Sequence, residues 1–106
     1  MMLDAILTAV SKEVDEELVR VREFHNPVFA SNHEAYAVIK EELEEAECEH
    51  AQFKRLITEF WTAVKCDDDA LSQELLLEMW QIAERAAAEW IQVAAMCRKA
   101  MASVRE

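Results

Sequence analysis

One unbroken stretch, residues 32–65, decides the fold and reads NHEAYAVIKEELEEAECEHAQFKRLITEFWTAVK. Its apolar side chains alternate spacings of three and four residues without a break, which is the pattern of a coiled-coil-like seam on a long helix. The predicted seam consists of Tyr36, Ile39, Leu43, Ala46, His50, Phe53, Ile57, Phe60 and Val64. At about 1.5 Å per residue, such a helix is roughly 50 Å long. Ser31 and Glu34 form a capping-box pattern, which predicts the start of this helix near Asn32.

Two further helices are predicted on either side of this stretch. The first runs from about Met2 to Phe24, where His25-Asn26-Pro27 ends it because the residue before a proline disfavours the helical conformation. Its apolar face consists of Leu3, Leu7, Val10, Val14, Val21 and Phe24. The third helix runs from about Ala70 to Val104, after a turn at residues 66–69 in which one aspartate is expected to cap the helix.

The third helix carries two adjacent apolar seams. The first consists of Leu75, Met79, Ile82, Ala86, Glu89, Val93, Met96 and Ala100. The second consists of Leu76, Trp80, Ala83, Ala87, Trp90, Ala94, Cys97 and Met101. Because a three-helix monomer needs to bury only one of them, the second seam is predicted to be a subunit interface.

Composition limits the fold class and the partners. The chain has no glycine and one proline, and it is rich in strong helix formers, so we expect a single all-α domain over residues 1–106. Its 11 basic and 22 acidic side chains give a net charge of −11, which disfavours binding to nucleic acid or to an anionic membrane. The three cysteines form no Cys-x-x-Cys pair and read as reduced thiols. With no visible signal peptide or membrane-length apolar run, we expect a cytoplasmic protein.

One carboxylate stands in the most apolar part of the chain. Residues 86–97 read AAAEWIQVAAMC, in which Glu89 and Gln92 are the only polar residues. A buried carboxylate is unfavourable unless it has a partner such as a metal ion. If the second and third helices fold back about Asp67, then Glu45 and Glu89 lie at one level, because each is 22 positions from that residue.

More acidic residues surround Glu45 on the second helix. Glu42 and Glu49 lie one turn away on either side, on a stripe expected to flank the apolar seam. Converging carboxylates repel one another, and a hard divalent ion such as Mg²⁺, which prefers oxygen ligands, relieves that repulsion. Two other readings stay open: runs of glutamate are commonly solvated helix faces, and Glu89 is alternatively a structural residue that is protonated or hydrogen-bonded to Gln92 or His50. His50 itself is expected to be a core residue.

Two blocks of sequence resemble a known family. Residues 32–45, NHEAYAVIKEELEE, followed by residues 88–96, AEWIQVAAM, are similar to the small phage-type MazG-like proteins, which are all-α nucleoside triphosphate pyrophosphohydrolases. The resemblance covers the chain from Ser31 onward. It implies an antiparallel bundle of long helices completed by oligomerisation, as a homodimer or homotetramer. It also implies Mg²⁺ held by a Glu-x-x-Glu motif and a later Glu-x-x-Asp motif.

The family motifs map onto this chain residue by residue. Glu42 and Glu45 match the first motif, and Glu89 matches the acid that closes the second motif, with Glu in place of Asp. Ala86 stands where the other acid of the second motif is expected. The resemblance therefore implies Glu42, Glu45 and Glu89 as metal ligands, with Glu41 or Glu49 assisting or positioning the attacking water. The candidate cations for the triphosphate are Lys40, Lys54 and Arg85.

These residues give one function hypothesis and one alternative. The first is Mg²⁺-dependent hydrolysis of a nucleoside or deoxynucleoside triphosphate to the monophosphate and pyrophosphate. The alternative is a non-catalytic helical oligomer, or a module that keeps the fold and binds a nucleotide or another protein. The alanine at position 86 favours the alternative.

Overall fold

The computed structural model describes residues 2–24 and 27–103, and within them it contains three α-helices and no strand. Helix α1 spans Met2–Phe24, α2 spans Asn32–Lys65 and α3 spans Asp69–Ser103. The all-α prediction is confirmed, and the three helices begin at the predicted residues or one residue earlier. The predicted breaker His25-Asn26 and the predicted helix end at Val104 lie outside the described residues. No helix in the described part of the chain is long and apolar enough to cross a bilayer.

The start of α2 is capped as predicted. The backbone N–H of Glu34 donates to the Ser31 hydroxyl at 3.2 Å, which satisfies one of the free amides of the first turn. The Glu34 carboxylate accepts from the N–H of Ala30 at 3.1 Å, one residue before the usual partner in a capping box. These two bonds fix the point at which the chain enters α2.

The turn between α2 and α3 is made without glycine. Asp67 takes a left-handed conformation with φ of 53°. The N–H of Asp68 donates to the Ala63 carbonyl at 3.0 Å and that of Asp67 to the Val64 carbonyl at 3.1 Å, which is the Schellman pattern of a helix end. The Asp68 carboxylate then accepts from the N–H of Leu71 at 3.1 Å and caps α3. The predicted turn and aspartate cap are both confirmed.

The buried face of α2 differs from the predicted seam. A stripe of buried and half-buried positions alternates spacings of four and three and consists of Ala35, Ile39, Glu42, Ala46, Glu49, Phe53, Leu56, Phe60 and Ala63. Val38, Leu43 and Gln52 beside it are half-buried as well. The prediction was wrong at Tyr36, His50, Ile57 and Val64, which are exposed. The small side chains of Ala35 and Ala63 take the buried positions and leave their larger neighbours outside. As a result, Glu42 and Glu49 lie on the buried face of α2 rather than beside it.

The first of two compact units consists of residues 1–43 and 89–106. Its core brings together α1, the start of α2, the end of α3 and the loop before α2, through Val14, Phe29, Ala35, Ala95 and Met96. Arg98 on α3 forms an ion pair with Asp15 on α1. The predicted apolar face of α1 is covered at Val14 and Val21, whereas Leu3, Leu7 and Val10 are exposed.

The second unit, residues 44–88, is a helical hairpin. Its core consists of Leu56, Ala63, Leu75, Met79 and Ile82, with Phe53 and Phe60 packed against it. The first predicted seam of α3 is confirmed, since all its members are buried or half-buried. Most of the second seam is exposed, including Trp80 at 63% and Trp90 at 51%.

Candidate metal centre

Three glutamates meet near the level at which Glu45 and Glu89 are predicted to face each other. One carboxylate oxygen from each of Glu42, Glu45 and Glu89 lies within 4.8 Å of the other two. Glu42 and Glu89 belong to the first unit. Glu45 follows Glu42 by three residues in the uninterrupted helix α2, so its position beside Glu42 is set by the helix itself.

The three carboxylates differ in their exposure to solvent. Glu42 and Glu89 are half-buried and each has one buried oxygen, Oε2, whereas Glu45 is exposed. Two unit charges about 4 Å apart interact by about 4 kcal/mol at an effective dielectric constant of about 20, and solvent around Glu45 reduces that value. The cluster therefore concentrates negative charge at a partly dehydrated position, where a proton or a cation lowers the free energy of the folded state.

The donor set and its spacing fit a hard divalent cation. Two oxygens on opposite sides of a Mg²⁺ ion lie about 4.2 Å apart, and around Ca²⁺ about 4.6–5.2 Å apart, given the usual metal–oxygen distances. Carboxylate oxygens separated by up to 4.8 Å could therefore coordinate either ion after small side-chain movements. Three carboxylate ligands would leave positions for water or phosphate oxygens, since Mg²⁺ keeps several waters in protein sites. Binding of the ion stays a prediction, because acidic groups also gather on helices without one.

Glu49 and Glu41 lie outside this cluster. Glu49 is on the buried face of α2, and its Oε1 accepts from Nε of Arg85 at 3.4 Å. Glu49 and Arg85 are each 18 positions from Asp67, so the register that aligns Glu45 with Glu89 also aligns this pair. Glu41 is exposed. The predicted roles of Glu41 and Glu49 toward the attacking water remain predictions.

The cations proposed from sequence are all at exposed positions. Lys40 lies over the Tyr36 ring, with its ammonium 6.0 Å from the ring centre, and Lys54 is also exposed. Arg85 is engaged with Glu49. None of the three is among the residues that line a cavity with Glu42.

Sequence reasoning missed Lys99, the one charged residue that is buried in the described part of the chain. Lys99 is 5% exposed, and its ammonium lies 4.3 Å from the centre of the Phe29 ring. A signal was present, because Lys99 follows Met96 by three residues and so continues the buried face of α3. Its charge made it read as a surface residue.

The sequence matches no protein-family model, and comparisons with curated proteins and with solved structures find no significant match. Membership of the MazG-like family is therefore still a prediction, based on residues 32–45 and 88–96. What the structure adds is the convergence of three glutamates and the burial of a lysine.

Proposed function

We propose that this protein is a MazG-like nucleotide pyrophosphohydrolase, which hydrolyses a nucleoside or deoxynucleoside triphosphate to the monophosphate and pyrophosphate with the help of Mg²⁺. The observation that carries the proposal is the convergence of Glu42, Glu45 and Glu89 within 4.8 Å. These are the three residues that the resemblance to the family assigns to the metal. The approach of Glu45 to Glu89 also agrees with the helix register about Asp67, which does not depend on that resemblance.

The chemistry requires charge neutralisation more than a covalent catalyst. A divalent ion supplies Lewis acidity and lowers the pKa of a bound water, and it offsets the charge of the triphosphate. In this chain, Glu42 and Glu89 would hold the ion from two helices, with their half-buried position fixing the orientation of their carboxylates. Glu45, which is exposed, would complete the ligand set from the solvent side. A water-positioning role for Glu41 or Glu49 is a separate prediction.

A second candidate function is a module that binds a nucleotide without cleaving it. The specific observation in its favour is Ala86, which precedes Glu89 by three residues and replaces the first acid of the family's second motif. The cluster consequently holds three carboxylates where the family motifs provide four. Three carboxylates are sufficient to bind one ion, whereas a second ion needs further ligands.

Self-association is part of the proposal, as a homodimer or homotetramer. Large apolar side chains are exposed at the start of α1 and along the second seam of α3, including Leu3, Leu7, Trp80 and Trp90. Exposed apolar surface of this extent is typical of protein interfaces. A second copy of the chain is the partner that the family resemblance favours.

The direct test is an assay of pyrophosphate release from a panel of nucleoside and deoxynucleoside triphosphates, with Mg²⁺ and with a chelator. We expect Mg²⁺-dependent release that is lost in Glu45→Ala and retained in Glu44→Ala, the matched change at the adjacent exposed position. Absence of pyrophosphate release from every triphosphate in the panel would reject the enzyme. Nucleotide binding by calorimetry in that silent protein would favour the binding module, and no binding would leave a purely structural oligomer.

A further inference from the structure

A cavity of about 450 Å³ lies in the first unit, and both Glu42 and Lys99 line it. Its size is within the range of small-molecule sites in proteins. Apolar side chains and Gln92 complete much of the lining, together with Glu17 and Glu34. The cavity thus joins one member of the carboxylate cluster to the buried lysine.

Lys99 is the side chain that requires an explanation. It is 5% exposed, and among residues 2–24 and 27–103 no carboxylate forms an ion pair with it. A buried ammonium without an anionic partner is unfavourable, and its contact with the Phe29 ring offsets only part of the lost hydration. An anion in the cavity would supply the missing partner.

The local structure holds Lys99 in this position. The N–H of Phe29 donates to the Ser103 hydroxyl at 2.7 Å, and that hydroxyl donates to the Lys99 carbonyl at 2.7 Å. The two bonds tie the loop before α2 to the last turn of α3 and keep the Phe29 ring against the ammonium. The backbone of Lys99 and the loop that carries Phe29 are therefore held together before any ligand arrives, which lowers the entropy lost on binding.

We infer that Lys99 binds a phosphate group of the substrate in this cavity. The inference deepens the proposed function and rests on it for the identity of the ligand. Because Glu42 lines the same cavity, a polyphosphate chain could contact the ammonium of Lys99 and a cation held by the carboxylate cluster at the same time. Lysine is a common phosphate ligand in proteins, where it acts as a compact positive charge.

The charges around the cavity make this binding depend on the metal. Three carboxylates line it against one lysine. Glu17 is paired with Arg20 at 2.8 Å, and this hydrogen bond is the main reason why the pKa of the Arg20 guanidinium is raised. The Glu34 carboxylate accepts a backbone hydrogen bond. Negative charge still exceeds positive charge, so a phosphate is expected to bind only when a divalent cation offsets Glu42 and its neighbours.

A calorimetric titration with tripolyphosphate in excess Mg²⁺ tests this inference without requiring turnover. We expect saturable binding that Lys99→Met weakens at least tenfold, that Lys99→Arg largely preserves, and that is absent without Mg²⁺. The matched control is Lys65→Met, which removes an exposed lysine that also lies over an aromatic ring, Trp61, at 5.6 Å. Binding to folded Lys99→Met within twofold of the parent, or no binding to the parent, would overturn the inference.

A second measurement on the unmodified protein covers the case in which Lys99→Met does not fold. The NMR signals of the lysine side-chain Nζ groups report each ammonium separately. We expect the Lys99 signal to shift when Mg²⁺–tripolyphosphate is added and the Lys65 signal to stay in place. No shift at Lys99 under saturating conditions rejects the inference.

The inference and the proposed function can fail independently. Lys99-dependent binding of tripolyphosphate in a protein that cleaves no nucleotide would support the phosphate site and reject the enzyme. Mg²⁺-dependent pyrophosphate release with the same KM in Lys99→Met and in the parent would support the enzyme and reject the phosphate site.

Discussion

Glu42 and Glu49 occupy equivalent positions one heptad apart on the buried face of α2, but their neighbours on α3 differ in charge. Glu42 lies near a glutamate and Glu49 lies near an arginine. Glu49, in the second unit, is hydrogen-bonded to Arg85. Glu42, in the first unit, lies within 4.8 Å of the carboxylates of Glu89 and Glu45. The comparison shows that a half-buried carboxylate of α2 lies beside an arginine at the level of Glu49, and that three carboxylates come together at the level of Glu42.

The interiors of the two units differ in the same way. The second unit has an apolar core of aliphatic and aromatic side chains. The first unit has an apolar core as well, but it also contains the buried Lys99 and a cavity lined by charged side chains. Buried charge is unfavourable for stability, and its concentration in the first unit is the reason why the proposed ligand site is assigned to that unit.

The strongest way to break the comparison is Glu89→Arg, which makes the level of Glu42 resemble the level of Glu49. We expect pyrophosphate release to fall by about 100-fold or more, because the change removes a metal ligand and places a positive charge in the site. The measurement is kcat/KM with Mg²⁺ and a triphosphate that the parent cleaves. Glu84→Arg makes the same charge change at an exposed position of α3 and should leave kcat/KM nearly unchanged. Equal activity of the two variants would contradict the assignment of Glu89.

A smaller effect is expected on the free energy of unfolding, and it should have opposite signs for Glu42 and Glu49. In chelator-treated protein, Glu42→Gln should raise the free energy of unfolding by about 1 kcal/mol, because it relieves repulsion within the cluster. Glu49→Gln should lower it by at most about 1 kcal/mol, since the Arg85 side chain is more than half exposed and the ion pair is screened. A change of about 1 kcal/mol corresponds to a shift of about 4 °C in Tm. A loss of stability in Glu42→Gln would show that this carboxylate is a structural hydrogen-bonding group.

A last effect, of similar size, concerns the turn between α2 and α3; the residues of this turn are not part of the carboxylate cluster. Asp67→Gly should raise the free energy of unfolding by about 1 kcal/mol, because a non-glycine residue in the left-handed conformation is strained. Asp68→Ala should lower it by about 1 kcal/mol through loss of the helix cap. Thermal unfolding measures both changes, and we expect the same values with and without Mg²⁺. Destabilisation by Asp67→Gly would argue against the observed helix end.

Local signals in the sequence were sufficient for the helices and for the convergence of the carboxylates. Ser31, Glu34 and the aspartates near position 67 specify helix ends through backbone hydrogen bonds to nearby residues, so their effect can be read from spacing. The level at which Glu45 and Glu89 meet follows from counting residues away from a short turn. Both predictions depend on helix geometry alone.

Two features could not be read from spacing because they depend on tertiary packing. Whether Ala35 or Tyr36 faces the core depends on how closely the neighbouring helices approach, and the smaller residue is the buried one. The burial of Lys99 depends on Phe29, which comes from a loop 70 positions earlier in the chain. The apolar pattern placed Tyr36 in the core incorrectly, and the charge of Lys99 led to its being taken for a surface residue.

The most direct test of the account is a calorimetric titration of Mg²⁺ into the chelator-treated protein and its glutamine variants. We expect saturable binding by the parent, at least about tenfold weaker binding in Glu42→Gln and in Glu89→Gln, and unchanged binding in Glu44→Gln. Absence of saturable binding by the parent, or equal affinity in Glu42→Gln and Glu44→Gln, would contradict the assignment of a metal site to these glutamates.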